Sequence, residues 1–432
     1  MSLEFGFRNV SKHRGTWNDF GTRYEQLAYD AVASGPRLFR LFCDHLPMYV
    51  SDERNLMAAL HHLRRRGGPA AGLDGVQLAD LSTMECWSLV RDLRDRLRNH
   101  TFGRGPLKRC RIRKESGRGT RTVYIANLED RVVARGAAQV LAPILSSAID
   151  PHEFTWRGRG TQAALAYAVE QVAIEGRTTW VTEDWRDAFD NLPRARLFQI
   201  LRSYVPNFEF CSLVETLAAR PARRGILQGS ALSSLLLGLY SSHRMHRPWR
   251  GGAHRPPLAT YADDLWVGCT PDEDVRSHYQ ILACCSRAAG MKFKHGPEAG
   301  IIDLREQSAT WLGYRLRLVG GQLTIHSDRF PSLGELRRAR HERLVAQFAR
   351  LHQRASAWRS ANALVRGIVN YLAPTLPFEN PERIYERINS AAGEAGFDEI
   401  MNFDELLAHW QAGHARWVRR LNAANRAIIG PV

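Results

Sequence analysis

Cysteine is scarce in this sequence and follows no spacing typical of a structural site. The 432 residues contain seven cysteines, an odd number, and no Cys-x-x-Cys motif. This argues against a disulfide framework and against a zinc site built from cysteines. A reducing compartment fits this pattern best.

Long hydrophobic runs are also lacking. The most apolar stretch, residues 232–240, is too short to cross a bilayer, which takes about 20 residues. Residues 1–15 contain no apolar core of the length found in signal peptides. We therefore expect a cytoplasmic protein that makes no membrane contact.

Lysine is rare although the protein is strongly basic. Only five of the 60 basic residues are lysines, and the 44 acidic residues leave a net charge of +16 and a pI near 10.0. Codon bias in a GC-rich genome explains the preference for arginine, whose planar donor fork also suits phosphate. The charge favours nucleic acid as a partner, with a solvated basic surface as the alternative.

Apolar periodicity predicts helices at both ends of the chain and short strands between them. The length corresponds to roughly two to four domain-sized units, and no internal repeat is visible. The predicted helices lie in residues 1–66, 161–175, 229–246 and 331–355 and in most of the chain beyond. The predicted hairpins span 105–125 and 258–269, a single strand covers 179–181, and two short strands lie in 310–326.

Two adjacent aspartates, Asp263 and Asp264, lie between two β-prone runs. If the runs pair as a hairpin, both carboxylates lie at its tip. Each then raises the pKa of the other, and a divalent cation relieves the repulsion. An ordinary Asp-rich turn is the alternative.

A third carboxylate, Asp184, ends the strand predicted at 179–181. A strand-end aspartate beside a hairpin-tip pair forms a three-carboxylate site, and Mg²⁺ prefers such oxygen ligands while leaving room for substrate phosphate. Two ions held there would activate an attacking hydroxyl and stabilise a leaving pyrophosphate.

The order of these motifs resembles the palm of a reverse transcriptase. Asp184 is followed by Phe189, then by Gln-Gly-Ser-Ala-Leu-Ser at 228–233 and by Tyr-Ala-Asp-Asp at 261–264. Taken alone, the Gly-Ser pair is typical of a helix cap. Further segments resemble, in the same order, elements of bacterial reverse transcriptases related to group II introns: 72–76, 112–123, 127–131, 154–161, 311–314 and 365–371.

This resemblance implies an α+β fold of the right-hand polymerase type. It has fingers, a palm whose antiparallel sheet packs on helices, and an α-helical thumb and C-terminal region. We predict an N-terminal helical basic segment at 1–66 and fingers with part of the palm at 67–178. The palm with the catalytic aspartates is predicted at 179–326, and the thumb with a C-terminal extension at 327–432.

The resemblance also implies roles for individual residues. Asp184, Asp263 and Asp264 match the catalytic residues that hold two Mg²⁺ ions, or Mn²⁺, with the backbone carbonyl of Trp185 as a further ligand. The residues implied in binding the incoming nucleotide are Lys114, Arg121, Phe189, Gln228 and Gly229. The residues implied in binding template or primer are Arg157, Arg159, Arg337, Arg340 and Arg343.

Each of these assignments has a structural alternative. Lys114 and Arg121 also suit a solvated basic hairpin, and Gln228 with Gly229 suits a helix cap. Phe189 suits a core position near the end of a strand, and the arginines suit an exposed polar surface.

One element departs from the family pattern. Family members carry a lysine in the segment that here runs from residue 288 to 298, and its position falls near Pro297. Lys292, Lys294 or His295 could replace it as proton donor to pyrophosphate or as a neighbour of the phosphates. The sequence leaves this choice open.

Missing motifs limit which group of reverse transcriptases the chain resembles. No HNH-like Cys/His set, retron motif or Cas1 fusion is present, so the chain resembles the stand-alone unknown-group or abortive-infection enzymes. This implies dNTPs, a DNA product or primer, and a structured non-coding RNA as template in antiphage defence. A group II intron-type maturase or RNA-binding protein, a retron-like enzyme and an RNA-templated RNA polymerase stay open, as does the oligomeric state.

Overall fold

The computed structural model of the protein describes residues 17–66, 70–113, 120–330, 335–353 and 357–421. Contacts divide the chain into two compact units, residues 1–150 with 187–244 and residues 151–186 with 245–432. Helices and antiparallel sheets occur together, so the predicted α+β class is confirmed. None of the helices in the described ranges is both long and apolar enough to span a membrane.

The first unit is mainly helical. Its helices are α1 (Trp17–Ala33), α2 (Pro36–Asp44), α3 (Leu46–Val50), α4 (Glu53–Arg66), α5 (Thr83–Arg98), α6 (Leu128–Leu145), α8 (Ala188–Asn191), α9 (Arg194–Tyr204), α10 (Phe208–Ala218) and α11 (Ala231–Ser241). Its two strands, β1 (Lys108–Arg113) and β2 (Thr120–Ile125), pair antiparallel as the predicted basic hairpin.

Helix α6 forms the centre of the first unit. It is buried along most of its length and packs against α1, α4 and α11. The Tyr24 hydroxyl donates to the Val140 carbonyl at 2.7 Å, and the Asn55 amide donates to the Gly136 carbonyl at 3.3 Å. The buried face of α6 therefore carries both the apolar core of the unit and its internal polar contacts.

The compact units do not follow the boundaries predicted from the sequence. Residues 187–244 lie within the predicted palm, but α10 and α11 pack on α6 of the first unit. The reason is that α10 and α11 bury apolar residues against that helix. The division into fingers, palm and thumb stays a prediction.

The second unit contains two antiparallel sheets. The first has the strand order β4-β5-β3-β6 and consists of β3 (Thr179–Asp184), β4 (Leu258–Tyr261), β5 (Asp264–Cys269) and β6 (Ile301–Asp303). The second has the order β7-β8-β9 and consists of β7 (Ala309–Trp311), β8 (Tyr314–Val319) and β9 (Gln322–Ser327). Tryptophans Trp180, Trp266 and Trp311 pack together in the core beneath them.

The second sheet has one strand more than the two predicted in 310–326. A tight turn at Leu312 and Gly313, both with positive φ, separates β7 from β8. A Cβ atom on Gly313 would lie 2.5 Å from the Tyr371 hydroxyl, so only glycine fits this turn. Tyr371 donates to the Gly313 carbonyl at 2.7 Å, and Tyr314 donates to the Tyr371 carbonyl at 2.6 Å.

The helices of the second unit surround these sheets and form the C-terminal region. They are α7 (Thr161–Glu175), α12 (Arg247–Arg250), α13 (Val275–Ala288), α14 (Pro297–Gly300), α15 (Glu335–Ala349), α16 (Ala357–Tyr371), α17 (Pro381–Glu394) and α18 (Phe403–Val418). The arginine-rich helix predicted at 331–355 is shorter, because α15 tightens into a 3-10 turn at Arg350–Gln353. Residues 331–334 and 354–356 lie outside the described part.

Candidate active site

The three predicted catalytic aspartates meet at one end of the first sheet. Strand β3 ends at Asp184 and β5 begins at Asp264, and the two residues are direct cross-strand partners. Such partners have Cβ atoms about 5 Å apart. Asp263 lies in the turn between β4 and β5, and its carbonyl accepts the Trp185 amide at 3.0 Å. The predicted hairpin and the predicted strand end are therefore confirmed, and they bring the carboxylates together.

The turn that carries Asp263 is fixed by contacts outside the hairpin. Ala262 has a φ of 56°, and its amide donates to the Thr155 hydroxyl at 2.5 Å. The Phe154 amide donates to the Thr260 carbonyl at 2.7 Å, and the Thr260 hydroxyl meets His246 Nε2 at 2.9 Å. The loop at 151–160 therefore holds the aspartate turn in position.

Negative charge is crowded at this site. Burial, with the neighbouring Asp184 as the next cause, raises the pKa of Asp263 from 3.8 to about 6. Burial and the charges of Asp263 and Asp184 raise the pKa of Asp264 to about 7. The carboxylates thus repel one another and favour any added positive charge.

Lys294 supplies one positive charge to the cluster. Its ammonium donates to Asp184 Oδ2 at 2.8 Å, and its backbone amide donates to the Asp184 carbonyl at 2.8 Å. The hydrogen bond to Asp184 is the main cause that raises the pKa of the Lys294 ammonium. Of the three residues left open by the sequence, Lys294 is the one whose charged group contacts a predicted catalytic carboxylate.

The other two candidates contact the site only through their backbone. The Lys292 carbonyl accepts the Arg186 amide at 2.8 Å, and the His295 amide donates to Glu183 Oε2 at 3.1 Å. The side chain of neither residue has a recorded contact with the aspartates. Both residues are exposed.

A buried glutamate beneath the site escaped the sequence reasoning. Glu183 is 3 % exposed and accepts the Tyr279 hydroxyl at 2.6 Å as well as the His295 amide. These contacts join β3 to α13 and to the segment that carries Lys294. The only signal in the sequence was a second acidic residue directly before Asp184, which on a strand points to the opposite face.

The donor set fits divalent cations by its chemistry. No group of three or more His, Cys, Asp or Glu side chains in the described ranges is arranged to hold a metal ion. Lys294 instead neutralises Asp184. The raised pKa values of Asp263 and Asp264 nevertheless mark crowded carboxylates, the hard oxygen donors that Mg²⁺ and Mn²⁺ prefer.

The predicted nucleotide-binding residues lie in the first unit. Arg121 lies on β2 opposite Ile112, and its Nε is buried without a hydrogen-bond partner among the described residues. Lys114 lies outside the described part. Phe189 is partly exposed on α8, and its carbonyl accepts the Ile226 amide at 2.8 Å.

Gln228 and Gly229 lie on the turn that leads into α11. Gly229 has a φ of 86° and open space where a Cβ would lie, and the Ser230 hydroxyl accepts the Leu232 amide at 3.4 Å as the cap of α11. The Ile226–Phe189 hydrogen bond brings this turn next to Phe189. The structure therefore bonds Ile226, two residues before Gln228, to Phe189, and it caps α11 with Ser230.

The predicted template-binding arginines differ in their surroundings. Arg157 is exposed, whereas Arg159 donates to the Glu153 carbonyl at 2.6 Å and so stabilises its own loop. Arg340 donates to Asp328 at 3.0 Å. Arg337 is exposed and Arg343 partly exposed on α15.

One comparison with known protein families matches the part of the chain that contains this site. Residues 112–316 match the family model described as reverse transcriptase (RNA-dependent DNA polymerase). Among solved structures, the chain is similar to one in a partial Cas6-RT-Cas1–Cas2 complex, at 19 % identity and a TM-score of 0.34. That match covers 54 % of this chain and 39 % of the other. A search of curated proteins finds no match.

The matched residues include the strand that ends at Asp184, the Gln-Gly-Ser turn and the hairpin with Asp263 and Asp264. They also include β2 of the basic hairpin and the segment with Lys294. Residues 112–316 are therefore similar to a reverse transcriptase domain, the domain of an RNA-directed DNA polymerase, which is a nucleotidyltransferase.

Proposed function

We propose that this enzyme adds deoxynucleotides to a primer on an RNA template, with Asp184, Asp263 and Asp264 as the ligands of two Mg²⁺ ions. The observation that carries this proposal is the cross-strand pairing of Asp184 with Asp264 beside the Asp263 turn. Mn²⁺ is expected to replace Mg²⁺, because it accepts the same oxygen ligands.

The residues of the site have separate tasks in this reaction. Asp184, Asp263 and Asp264 hold the ions, together with the Trp185 carbonyl. When bound, the two ions activate the attacking 3′-hydroxyl and stabilise the charge on the leaving pyrophosphate. Lys294 takes the place of the family's lysine near Pro297 and contacts the pyrophosphate. Lys114 and Arg121 contact the triphosphate, and Gln228 with Gly229 lines the pocket for the sugar and the template base.

A primer-extension assay tests this activity directly. The purified enzyme is incubated with a DNA primer annealed to an RNA template, with each dNTP and with Mg²⁺, Mn²⁺ or EDTA. We expect extension with either ion and none in EDTA. Absence of extension under every condition, from a protein that still binds the primer–template, would contradict the proposal.

Replacing Lys294 by methionine tests its role as a counter-charge. Lys294 competes with a divalent cation for Asp184, so its removal is expected to tighten Mn²⁺ binding about fivefold, the factor for about 1 kcal/mol. Electron paramagnetic resonance of free Mn²⁺ measures this without catalysis. Pyrophosphate release should slow in the same variant.

Lys292→Met is the matched control for this experiment. It removes the same charge two residues away, at a side chain that is exposed. Its Mn²⁺ affinity is expected to equal that of the wild type. If both variants bound Mn²⁺ more tightly by the same factor, the effect would come from the change in net charge. A specific role of Lys294 would then be rejected.

Three arginines of α15 are proposed to follow a nucleic-acid backbone. Arg337, Arg340 and Arg343 recur every three residues, which places them along one side of the helix. Replacing all three by glutamine is expected to lower the salt slope of RNA binding by about one unit per lost phosphate contact. Filter binding between low and high salt measures the slope, and an unchanged slope would favour a solvated face.

We further propose that the template is a dedicated, structured non-coding RNA and that the enzyme serves antiphage defence. The net charge of +16 supports a nucleic-acid partner, and the resemblance to the unknown-group and abortive-infection enzymes supports the defence role. Sequencing the RNA that copurifies with the protein tests this. One structured species is expected, whereas a self-splicing intron would favour a maturase and a random mixture would contradict both.

A further inference from the structure

A short antiparallel pairing holds the segment that carries Lys294 against the end of β3. The Lys294 amide donates to the Asp184 carbonyl at 2.8 Å, and the Arg186 amide donates to the Lys292 carbonyl at 2.8 Å. One antiparallel bridge lies between these two hydrogen bonds. The pairing ends at Lys294, so the contacts of the next residue decide whether that end stays closed.

The next residue, His295, is held by the buried carboxylate of Glu183. The His295 amide donates to Glu183 Oε2 at 3.1 Å, and the Tyr279 hydroxyl donates to Glu183 Oε1 at 2.6 Å. Both oxygens of this carboxylate therefore have a donor. Glu183 is 3 % exposed and Tyr279 is 6 % exposed, so loss of either donor would leave a buried polar group unpaired.

The Glu183 carboxylate has little room to turn towards other partners. A Cβ on Gly300 would lie 3.2 Å from Glu183 Oε1 and 3.3 Å from Tyr279 Cε2. Gly300 is itself buried at the end of α14. The carboxylate is therefore confined between β3, α13 and the backbone of α14.

Helix α13 fixes both ends of the Lys294 segment from one face. Tyr279 and Ser286 are seven residues apart on α13, which is about two helical turns. The Ser286 hydroxyl donates to the Met291 carbonyl at 3.3 Å, directly before the paired residues. Tyr279 reaches the other end, at His295, through Glu183.

The side chain of Lys294 contributes little to its own position. It is 54 % exposed, and its ammonium pairs with Asp184 at 2.8 Å. A flexible lysine that is half in water gains little free energy from such an ion pair. The position of its charge therefore depends on the backbone from which it projects.

We propose that Glu183, held by Tyr279, is a positioning residue that fixes Lys294 beside Asp184. It acts through the His295 amide and does not itself touch substrate. Its effect on catalysis rests on the proposed function, in which Lys294 contacts the leaving pyrophosphate. Because that contact belongs to the chemical step, its misplacement lowers kcat and leaves the KM for dNTP nearly unchanged.

The first test observes the Lys294 backbone without catalysis. The sequence contains only five lysines, so ¹⁵N-lysine labelling gives at most five backbone amide signals, and Lys294→Met identifies the one from Lys294. Glu183→Met is expected to speed hydrogen exchange of that amide about tenfold, because its end of the pairing opens. The Lys108 amide, on β1, is the internal reference.

Glu183→Gln is the matched variant for this test. Methionine and glutamine remove the same charge, but only glutamine keeps an oxygen for the His295 amide and an NH₂ group that can donate to the Tyr279 hydroxyl oxygen. Exchange at Lys294 should therefore stay near the wild-type rate in Glu183→Gln. Melting temperatures confirm that both variants are folded.

The second test measures single-nucleotide incorporation. Glu183→Met should lower kcat about tenfold with the KM for dNTP within about twofold of the wild type, and Glu183→Gln should recover most of the loss. Tyr279→Phe keeps the ring that packs edge-on against Phe293, removes only the hydroxyl, and should lower kcat about threefold. It also replaces Glu183→Met if that variant does not fold.

A double-variant cycle shows whether Tyr279 acts through Lys294. In a Lys294→Met background, Tyr279→Phe should cause no further loss of kcat, because the group that it positions is already absent. Tyr385→Phe removes a hydroxyl from a partly buried tyrosine of α17 and should leave both exchange at Lys294 and kcat at wild-type values.

The outcomes distinguish this proposal from the proposed function. Faster exchange at Lys294 in Glu183→Met but not in Glu183→Gln supports the role of Glu183, and unchanged exchange or an equal change in both overturns it. An active enzyme that keeps its kcat despite faster exchange, or that loses further kcat in the Lys294→Met background, overturns it as well. If no form of the enzyme extends a primer, the proposed function fails, and the exchange rates alone decide whether Glu183 fixes Lys294.

Discussion

Replacing Asp263 and Asp264 together by asparagine is expected to abolish nucleotide incorporation while leaving RNA binding intact. The amides keep the shape of the turn but lose the charge that holds the metal ions. Loss of metal catalysis removes several kcal/mol of transition-state stabilisation, so incorporation should fall by about three orders of magnitude or more. Single-nucleotide extension measures the loss, and filter binding should show RNA affinity within about twofold of the wild type.

The same variant is expected to be more stable than the wild type when no metal is present. In the folded protein the pKa values of Asp263 and Asp264 are raised from 3.8 to about 6 and about 7, so their charged forms are disfavoured. This penalty is absent below about pH 4, grows as the pH rises from about 4 to about 7, and is constant above that. In EDTA, the melting temperature of the wild type should therefore fall between pH 5 and pH 8 more than that of the variant.

Asp398→Asn with Glu399→Gln is the matched control. This pair is also adjacent and acidic, but both residues are exposed in the loop before α18. Incorporation should stay at the wild-type level in this control. If Asp263→Asn with Asp264→Asn still extends a primer at a normal rate, the two aspartates are not the catalytic site.

The local elements of the site were predictable from the sequence because they depend on neighbouring residues. Alternating apolar runs around Asp263 and Asp264 define a hairpin, and a β-prone run before Asp184 defines a strand end. Their order along the chain carries the resemblance to reverse transcriptases. A hairpin tip beside a strand end is enough to predict that the three carboxylates lie close together.

Contacts between distant segments were not predictable in the same way. Lys294 reaches Asp184 across 110 residues, and spacing alone could not distinguish it from Lys292 or His295. The hydrogen bonds between Tyr371 and the Gly313 turn join two motifs that the sequence treats separately. Such contacts depend on the tertiary arrangement of distant segments, and the apolar periodicity of the sequence does not predict that arrangement.

Two of the arginines predicted to bind nucleic acid have intramolecular partners that the sequence does not reveal. The sequence shows that a guanidinium is present but not what accepts its hydrogen bonds. Arg159 binds the Glu153 carbonyl of its own loop, and Arg340 binds Asp328. Both therefore have a structural role in the free protein, whatever they contact when nucleic acid is present.

Replacing Phe189 by alanine or valine is expected to admit ribonucleotides while deoxynucleotide incorporation stays measurable. In the reverse transcriptases that this sequence resembles, an aromatic residue five positions after the first aspartate fills the space of a ribose 2′-hydroxyl. Phe189 offers no hydrogen bond to that hydroxyl. Burying it unpaired costs about 1–3 kcal/mol, which is roughly ten- to a hundredfold in selectivity.

The backbone around Phe189 should survive this substitution. The Phe189 carbonyl binds the Ile226 amide, and a Cβ on Gly225 would lie 2.5 Å from the carbonyl oxygens of Phe189 and Asp190. These close contacts involve the main chain, so removing the ring leaves them in place. A change in nucleotide selectivity would then be caused by loss of the ring and not by a displacement of α8.

Single-nucleotide incorporation of each dNTP against its NTP measures the selectivity of wild type and variants. Phe208→Ala is the control, because Phe208 is an aromatic residue of the same unit that is 76 % exposed at the start of α10. Its selectivity should match the wild type. A wild type that already prefers ribonucleotides would favour an RNA-templated RNA polymerase. Unchanged selectivity in Phe189→Ala would show that Phe189 is a packing residue. If its ring excluded the 2′-hydroxyl, removing the ring would let ribonucleotides in.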